Sequence, residues 1–342
     1  MKNSKQRTGI IVFVIIAILA VASFVFERKK TGSNIDISIT TDGETTSITK
    51  NPASVFNKAS KTKTQKSTQN YIAKIFITGV ITEAGNTYDQ KWLLSTIKDL
   101  KADDKNKGII LFINSPGGSV YETDEVYLEL LDYKKTKPVY AYFAGMAASG
   151  GYYMSCAADY VMANRNTLCG CIGVLCGQFT DLTGLMAKYG IKSETIHSGR
   201  NKNMGNYNEP VTDEQRAIMQ SIADECYDQF TDIVADARGL SKNRTIELSD
   251  GRLYTAKQAL ANKLIDGIGS WEEIVEAMKR NEFENENYEI KDYEYKKDDS
   301  LYHLFMGMSK LHAKSQLPDA IEKVISSDVK YPAYLYEGSF YN

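Results

Sequence analysis

The chain has 342 residues, 43% hydrophobic and 25% charged, with 24 Gly and six Pro, a composition of folded globular protein rather than of a disordered or fibrous chain. Forty-one basic residues against 43 acidic ones leave a formal charge of −2, so there is no basic footprint of the kind that binds nucleic acid. The length suits one large domain with appendages or two small domains.

The first thirty residues differ from the rest. Lys2, Lys5 and Arg7 precede an unbroken apolar run from Gly9 to Phe26, and Glu27-Arg28-Lys29-Lys30 follows it. Eighteen residues at about 1.5 Å rise make roughly 27 Å of helix, close to the hydrocarbon thickness of a bilayer. The rival reading, a cleaved secretory signal, fits less well, because the run ends in Phe24-Val25-Phe26 and charge rather than in small residues. Residues 1–30 are therefore expected to be a single-pass transmembrane anchor. Basic residues are balanced on its two sides, so positive-inside counting barely decides orientation. The polar stretch that follows favours an inside amino terminus, with the body of the chain outside the cell membrane.

Residues 31–70 are rich in Ser, Thr, Asn, Lys and Asp and read as a flexible polar spacer. The spacing then predicts a strand at Tyr71–Thr78, a helix over 88–100 and a buried strand at Gly108–Ile113 that ends in Asn114-Ser-Pro-Gly-Gly118. A helix over Val120–Tyr133 follows, then a strand at Pro138–Phe143, a short helix over Ser149–Ala157 and a short strand at Tyr160–Ala163. Lys192–Ile196 is strand-like. Thr212-x-x-Gln215 reads as a capping box opening a long helix to Ala237, and the segment from Asp250 to Gly269 closes the core with short helices. Strands alternating with helices at this spacing argue for an α/β fold with a largely parallel sheet. The organisation expected is anchor 1–30, spacer 31–70, catalytic domain 71–280 and a C-terminal extension 281–342. That extension is acidic and Tyr-rich, and its Pro332-Ala-Tyr-Leu-Tyr336 stretch looks either like a surface tail or like an extended peptide ligand for a neighbour's groove.

Cysteine chemistry offers little. Cys156, Cys169, Cys171, Cys176 and Cys226 are odd in number, and Cys169-x-Cys171-x4-Cys176 fits no standard zinc spacing and has no nearby histidine. They read as small buried residues, with no metal and no cofactor implied.

Ala144-Gly-Met-Ala-Ala-Ser-Gly-Gly-Tyr152 is more telling. Ser149 sits between a buried strand and a helix, ringed by residues small enough to admit a substrate backbone. It reads either as a nucleophile beside a helix amino terminus or as a plain N-cap. Pro116-Gly-Gly118 likewise reads either as a turn or as a loop whose Gly117 and Gly118 N–H groups can face an oxyanion. For the base, His303 and His312 lie outside the α/β signals, His197 lies within them, and Lys202 sits on a loop beyond the strand-like 192–196. A lysine is usually a solvated surface charge, so the residues alone leave the base open.

Taken together, Asn114-Ser-Pro-Gly-Gly-Ser-Val120, Met146-Ala-Ala-Ser-Gly-Gly-Tyr-Tyr153, Ser198-Gly-x-x-Lys202 and Asp250-Gly-Arg-x-Tyr-Thr-x-x-Gln-Ala259 resemble the signal peptide peptidase SppA (protease IV) family over about residues 71–275. The resemblance implies a Clp-protease/crotonase-like fold of repeated β-β-α units, Ser149 as nucleophile, Lys202 as general base and Gly117 and Gly118 in the oxyanion hole. No histidine lies about 25 residues after Ser149, where Clp-type peptidases carry theirs, and this favours lysine. One departure is Asn203 after the lysine, where many members have an acidic residue.

The implied reaction is hydrolysis of hydrophobic peptides such as cleaved signal peptides through an acyl-enzyme. A lysine working near neutrality needs its ammonium disfavoured by roughly 4 kcal/mol, which burial in an apolar groove can supply. Expected partners are peptide substrates, membrane lipid around the anchor, and further copies of the chain in a ring. The alternatives are a catalytically silent peptide-binding scaffold on the same fold and, less compatible with the anchor, an acyl-CoA enzyme.

Overall fold

The computed structural model describes residues 35–41, 44–50, 69–284, 286–297 and 333–335. The expected membrane anchor therefore lies outside the described residues, and so do His303 and His312. Among the described residues no helix is long and apolar enough to cross a membrane.

The chain divides into two units, residues 1–64 and 65–342. In the first, β1 (Ile35–Thr41) and β2 (Glu44–Lys50) pair antiparallel from Ile35↔Lys50 to Thr41↔Glu44. Part of the segment expected to be spacer thus carries a hairpin. Its alternating Ile and Thr residues suit strands, although they offer too little apolar area to be picked out by composition.

The second unit is built on a mixed sheet. Its central path runs β10 (Glu289–Tyr293), β3 (Tyr71–Ile81), β4 (Asn106–Ser119), β5 (Val139–Ala148), β6 (Tyr160–Ala163), β9 (Gly267–Ile268), all parallel. Three short strands lie off that path, one of them β11 (Ala333–Leu335), antiparallel to β4. β7 (Leu168–Gly170) runs parallel to the end of β5, and β8 (Leu253–Thr255) antiparallel to β7. The central strands are apolar on both faces, as parallel strands covered on both sides must be. On one face Ala73, Ile75, Ile109, Leu111, Ala141 and Phe143 join the main core, covered by α1 (Gln90–Ala102), α2 (Val120–Lys134) and α3 (Gly150–Ser155). On the other, Ile72, Ile110, Tyr140 and Met162 pack on Ile274 and Met278 of α8 (Trp271–Glu282). Each fully buried Ile or Leu contributes about 1.5–3 kcal/mol, so these two layers dominate the stability of the body.

Helix starts follow the sequence signals. Asp89 caps α1 by accepting from Trp92 N–H, and Ser270 and Glu273 form a capping box on α8. The long helix α5 (Asp213–Arg238) opens on the expected Thr212–Gln215 capping box and ends on Gly239 in the left-handed conformation. α4 (Thr183–Lys188), α6 (Lys242–Leu248) and α7 (Ala256–Ala261) complete the set.

Three expectations change. Pro116-Gly-Gly118 does not end its strand: β4 continues to Ser119, with Val80↔Gly117 and Ile81↔Gly118 still paired to β3 after an irregularity at Thr78/Val80. Lys192–Ile196 forms no strand: it pairs with no strand among the described residues, and Ile196 is 94% exposed. The sheet also does not stop at residue 280. β10 adds its edge strand beside β3, and Tyr293 OH donates to Tyr71 OH, which in turn donates to Asp103.

Candidate active site

The site is assembled where β4 and β5 part. They pair in register from Ile109↔Val139 to Ile113↔Phe143, and then, past an irregularity, at Ser115↔Ala147. Asn114 fills the irregularity, its Oδ1 accepting from Met146 N–H at 3.1 Å. Beyond that point β5 turns away to pair with β7, Met146–Ala148 opposite Leu168–Gly170. Thr167, fully buried, steadies this bend by donating to the carbonyls of Phe143 and Ala144 at 3.0 and 2.6 Å.

Ser149 follows at once. Its N–H donates to Gly170 O at 2.7 Å, and its carbonyl accepts from Tyr153 N–H at 2.9 Å, so both backbone groups are pinned. The pinning holds it at φ 52° and ψ −116°, the conformation of the second residue of a type II′ turn, where glycine is the usual occupant. A serine there is strained, and strained backbone at a strand-to-helix turn is how a nucleophile is presented above a sheet. Its side chain is 1% exposed, and its Oγ has no hydrogen-bond partner. It is therefore not a helix cap, since the hydroxyl accepts from no backbone N–H of α3.

The glycines around it allow close approach. A Cβ on Gly151 would stand 3.2 Å from Ser115 O, and one on Gly118 only 1.8 Å from Ile81 O, which no side chain survives without moving backbone. Ser115, fully buried, donates from Oγ to Gly79 O at 2.6 Å and accepts from Gly117 N–H at 3.1 Å. The Gly117 N–H, expected to face an oxyanion, is thus engaged by Ser115 in the present arrangement. Behind the serine, the Asp250-Gly-Arg-x-Tyr motif braces β7. Arg252 O accepts from Cys171 N–H at 2.9 Å, Gly251 N–H donates to Ile172 O at 3.1 Å, and Arg252 is ion-paired to Asp250. Cys169 and Cys171 flank Gly170 as free thiols. Burial pushes their pKa up to about 12 and about 11, so they stay protonated and take no part as nucleophiles.

The expected bases are not beside the serine. Lys202 is exposed, held in a turn by its N–H donating to Gly199 O at 3.0 Å, and its Nζ enters no ion pair among the described residues. His197 is exposed too, with Nδ1 3.1 Å from Gly199 O. Since Ser149 Oγ has no partner, neither residue of this chain lies within hydrogen-bond reach of it. Sequence reasoning passed over Ser115, Asn114 and Thr167 as positioning residues. The first two lie inside the quoted motif, while nothing local marks Thr167.

A buried, unpartnered serine on a strained strand-to-helix turn, next to a glycine-lined strand end, is an arrangement a serine hydrolase can use on an α/β sheet. Comparison with known proteins narrows this. The description "Peptidase family S49" matches residues 132–283, and "Clp protease" matches residues 59–183. A protein of Enterococcus faecium named as a signal peptide peptidase SppA is 32% identical over 283 residues, covering 78% of this chain and 81% of its own. Protease 4 of Salmonella typhi is 30% identical over 77% of this chain, which spans 42% of that longer protein. A solved ClpP1 from Listeria monocytogenes aligns at 17% identity over 58% of this chain and 91% of its own, with a TM-score of 0.39. The chain belongs to peptidase family S49, with signal peptide peptidase SppA and protease 4, and is a serine peptidase on an α/β fold whose residues 59–183 match the Clp protease description.

Proposed function

We propose that the protein is a membrane-anchored endopeptidase for extended hydrophobic peptides, leftover signal peptides among them, in which Ser149 is the nucleophile and Lys202 of a second copy is the general base. The observation that carries this is the segment holding Lys202. From Gly173 to Gln229 the only buried residue is Asn203, while Leu185, Tyr189, Ile191, Ile196 and Tyr207 are all exposed. A stretch of that length with no core of its own is an unfinished surface. Among the described residues its lysine has no ion-pair partner and the Ser149 hydroxyl no hydrogen-bond partner. Packing against another copy would meet both needs at once and suits a closed ring.

In that arrangement the lysine loses water on docking, the direction that favours the neutral amine. The amine accepts the Ser149 Oγ proton as the oxygen attacks the peptide carbonyl, then returns it to the departing amine, leaving a seryl ester. Water, deprotonated by the same lysine, attacks the ester and releases the acid while Oγ regains its proton. In this reading Gly118 N–H, with Gly117 N–H once freed from Ser115, donates to the developing oxyanion, a contribution of about 3–4 kcal/mol per donor. The anchor would hold this site near the outer membrane surface, where hydrophobic peptides are left behind.

Subunit complementation tests the proposal. Ser149→Ala and Lys202→Ala are each expected to abolish cleavage of a quenched fluorogenic hydrophobic peptide, whereas His197→Ala retains it. Co-expressing the two dead variants should restore about a quarter of wild-type activity, since an intact serine meets an intact neighbouring lysine in that fraction of random contacts. Full inactivity of the mixture, with both variants folded and associated, would refute the shared site.

A further inference from the structure

Two cysteines stand at the two ends of the segment that has no core. That segment runs from Gly173 to Gln229, and Cys176 and Cys226 lie just inside its ends. Between them come α4, the Lys202 loop and the first half of α5, with Asn203 as the only buried residue.

The two ends meet. Cys171 N–H donates to Arg252 O and Gly251 N–H to Ile172 O, so the chain leaves β7 along the loop 249–252. Tyr227 OH donates to Ser249 O at 2.9 Å, which ties α5 to the same loop at the residue next to Cys226. A Cβ on Gly177 would stand 3.3 Å from Met219 Cε, so the residue after Cys176 lies against α5. Up to Gln229 the half-buried positions of α5 are Gln215, Ile218, Met219, Ala223, Cys226 and Tyr227, a stripe at helical spacing. Cys226 therefore shares a face with Met219, the face on which the 176–177 chain packs. Burial pushes both thiols up, and the nearness of Cys176 pushes Cys226 further. Cys156, Cys169 and Cys171 are buried in the body, whereas Cys176 and Cys226 keep enough exposure for a reagent to reach them.

We propose that Cys176 and Cys226 form a disulfide site, and that the bond between them staples the Lys202-bearing segment at its base. The oxidant is a disulfide donor of the oxidised-glutathione class. One thiolate attacks the donor, releasing its first thiol and leaving a mixed disulfide; the other thiolate then displaces the second thiol. One S–S bond is made and one broken, the cysteines lose two electrons, and their two protons end on the donor's thiols. A segment with one buried residue gains little from packing, and linking the ends of a loop of about fifty residues restricts it where packing does not. The outer side of a membrane, where the proposed function puts the body of the chain, is a compartment in which such a bond persists. The bond needs neither Ser149 nor Lys202 to be catalytic.

Thiol mapping and proteolysis test the staple. Full-length protein in detergent micelles is treated with oxidised or reduced glutathione at mildly alkaline pH, alkylated and digested without reductant. Mass spectrometry should find Cys176 joined to Cys226 after oxidation, and no such bond in Cys176→Ser or Cys226→Ser. Tryptic cleavage of the undigested protein at the exposed Lys188, Lys192, Arg200 and Lys202, followed on reducing gels, should be at least about tenfold slower in the oxidised than in the reduced protein. In Cys226→Ser the same treatment should leave the cleavage rate unchanged. Oxidation that leaves the two cysteines unlinked, or joins either to a different cysteine, would overturn the proposal, and so would equal cleavage rates for the two states. Peptidase turnover is not read, so a failure of the Ser149–Lys202 chemistry would show in the complementation assay alone.

Discussion

Replacing Ser149 by glycine separates what the residue costs the fold from what it does for the reaction. The serine sits at φ 52° and ψ −116°, where glycine is free of strain, and its buried Oγ has no partner. A non-glycine residue in such a region costs about 1–3 kcal/mol, and an unsatisfied buried hydroxyl costs about 1–3 kcal/mol more. Ser149→Ala removes the hydroxyl penalty but keeps the strained backbone. Ser149→Gly removes both and gives back about 0.5–1 kcal/mol in chain entropy. Ser149→Gly should therefore exceed Ser149→Ala in stability by about 0.5–2 kcal/mol, because the strain of about 1–3 kcal/mol is relieved only by glycine. At about 2–4 °C per kcal/mol for a body of this size, the glycine variant should melt about 1–8 °C above the alanine variant. Differential scanning calorimetry at one protein concentration reads the difference. The comparison holds even if a neighbour's lysine satisfies Oγ in the assembled enzyme, since both variants lose that contact. Both must also be inactive. A glycine variant that melts at or below the alanine variant would refute the idea that the turn stores strain for the nucleophile.

Gly118→Ala should lower the melting temperature and peptide cleavage together. Its Cβ would come within 1.8 Å of Ile81 O, so β3 and β4 must separate, and overpacking of this kind costs about 1–3 kcal/mol or more. Asp266→Ala should cost about 3–5 kcal/mol in chemical denaturation, because Asp266 accepts the Arg238 fork at 2.6 and 3.0 Å and also Val161 N–H at 2.8 Å, while the Arg238 side chain is only 10% exposed. Burial holds the Cys156 and Cys169 thiols near a pKa of about 12, against an ordinary 9.0. The unfolded chain ionises first, so the stability linked to these thiols is complete below pH 9 and is lost as pH rises towards 12. Melting temperatures across that range should fall, and iodoacetamide at pH 8 should leave both thiols unmodified until the protein unfolds.

How much of this was legible depended on how local the signal is. The helix α5 was readable because its capping box, Thr212 and Gln215, lies within four residues, and β3, β5 and β6 because apolar runs report burial directly. Ser149 was marked by its ring of Gly and Ala, although its strain was not, since φ is imposed by hydrogen bonds to Gly170 and Tyr153 rather than by neighbours in sequence. Pro116-Gly-Gly118 misled for the same reason. Locally it spells a turn, yet pairing with Val80 and Ile81 keeps it extended. β10 and β11 were hidden because a strand added at a sheet edge is stabilised by a partner more than two hundred residues away in sequence, which no window of composition contains.

Lys202 is the limiting case. Nothing in its own chain distinguishes it from other exposed lysines, and only the resemblance of Ser198-Gly-x-x-Lys202 to a family pattern singled it out. If its contact is made with another copy, that is the expected result, because a residue selected for an intermolecular site leaves no trace in intrachain packing. The same reasoning applies to Ile196. An isoleucine 94% exposed loses the roughly 1.5–3 kcal/mol its burial would supply, and a segment that repeats this at Leu185, Tyr189, Ile191 and Tyr207 forgoes it several times over. In the proposed ring, assembly would recover that loss and join lysine to serine in the same event, so the energy closing the ring would also complete the site. An isolated copy would then be inactive, and cleavage should vary with protein concentration more steeply than in proportion until assembly is complete.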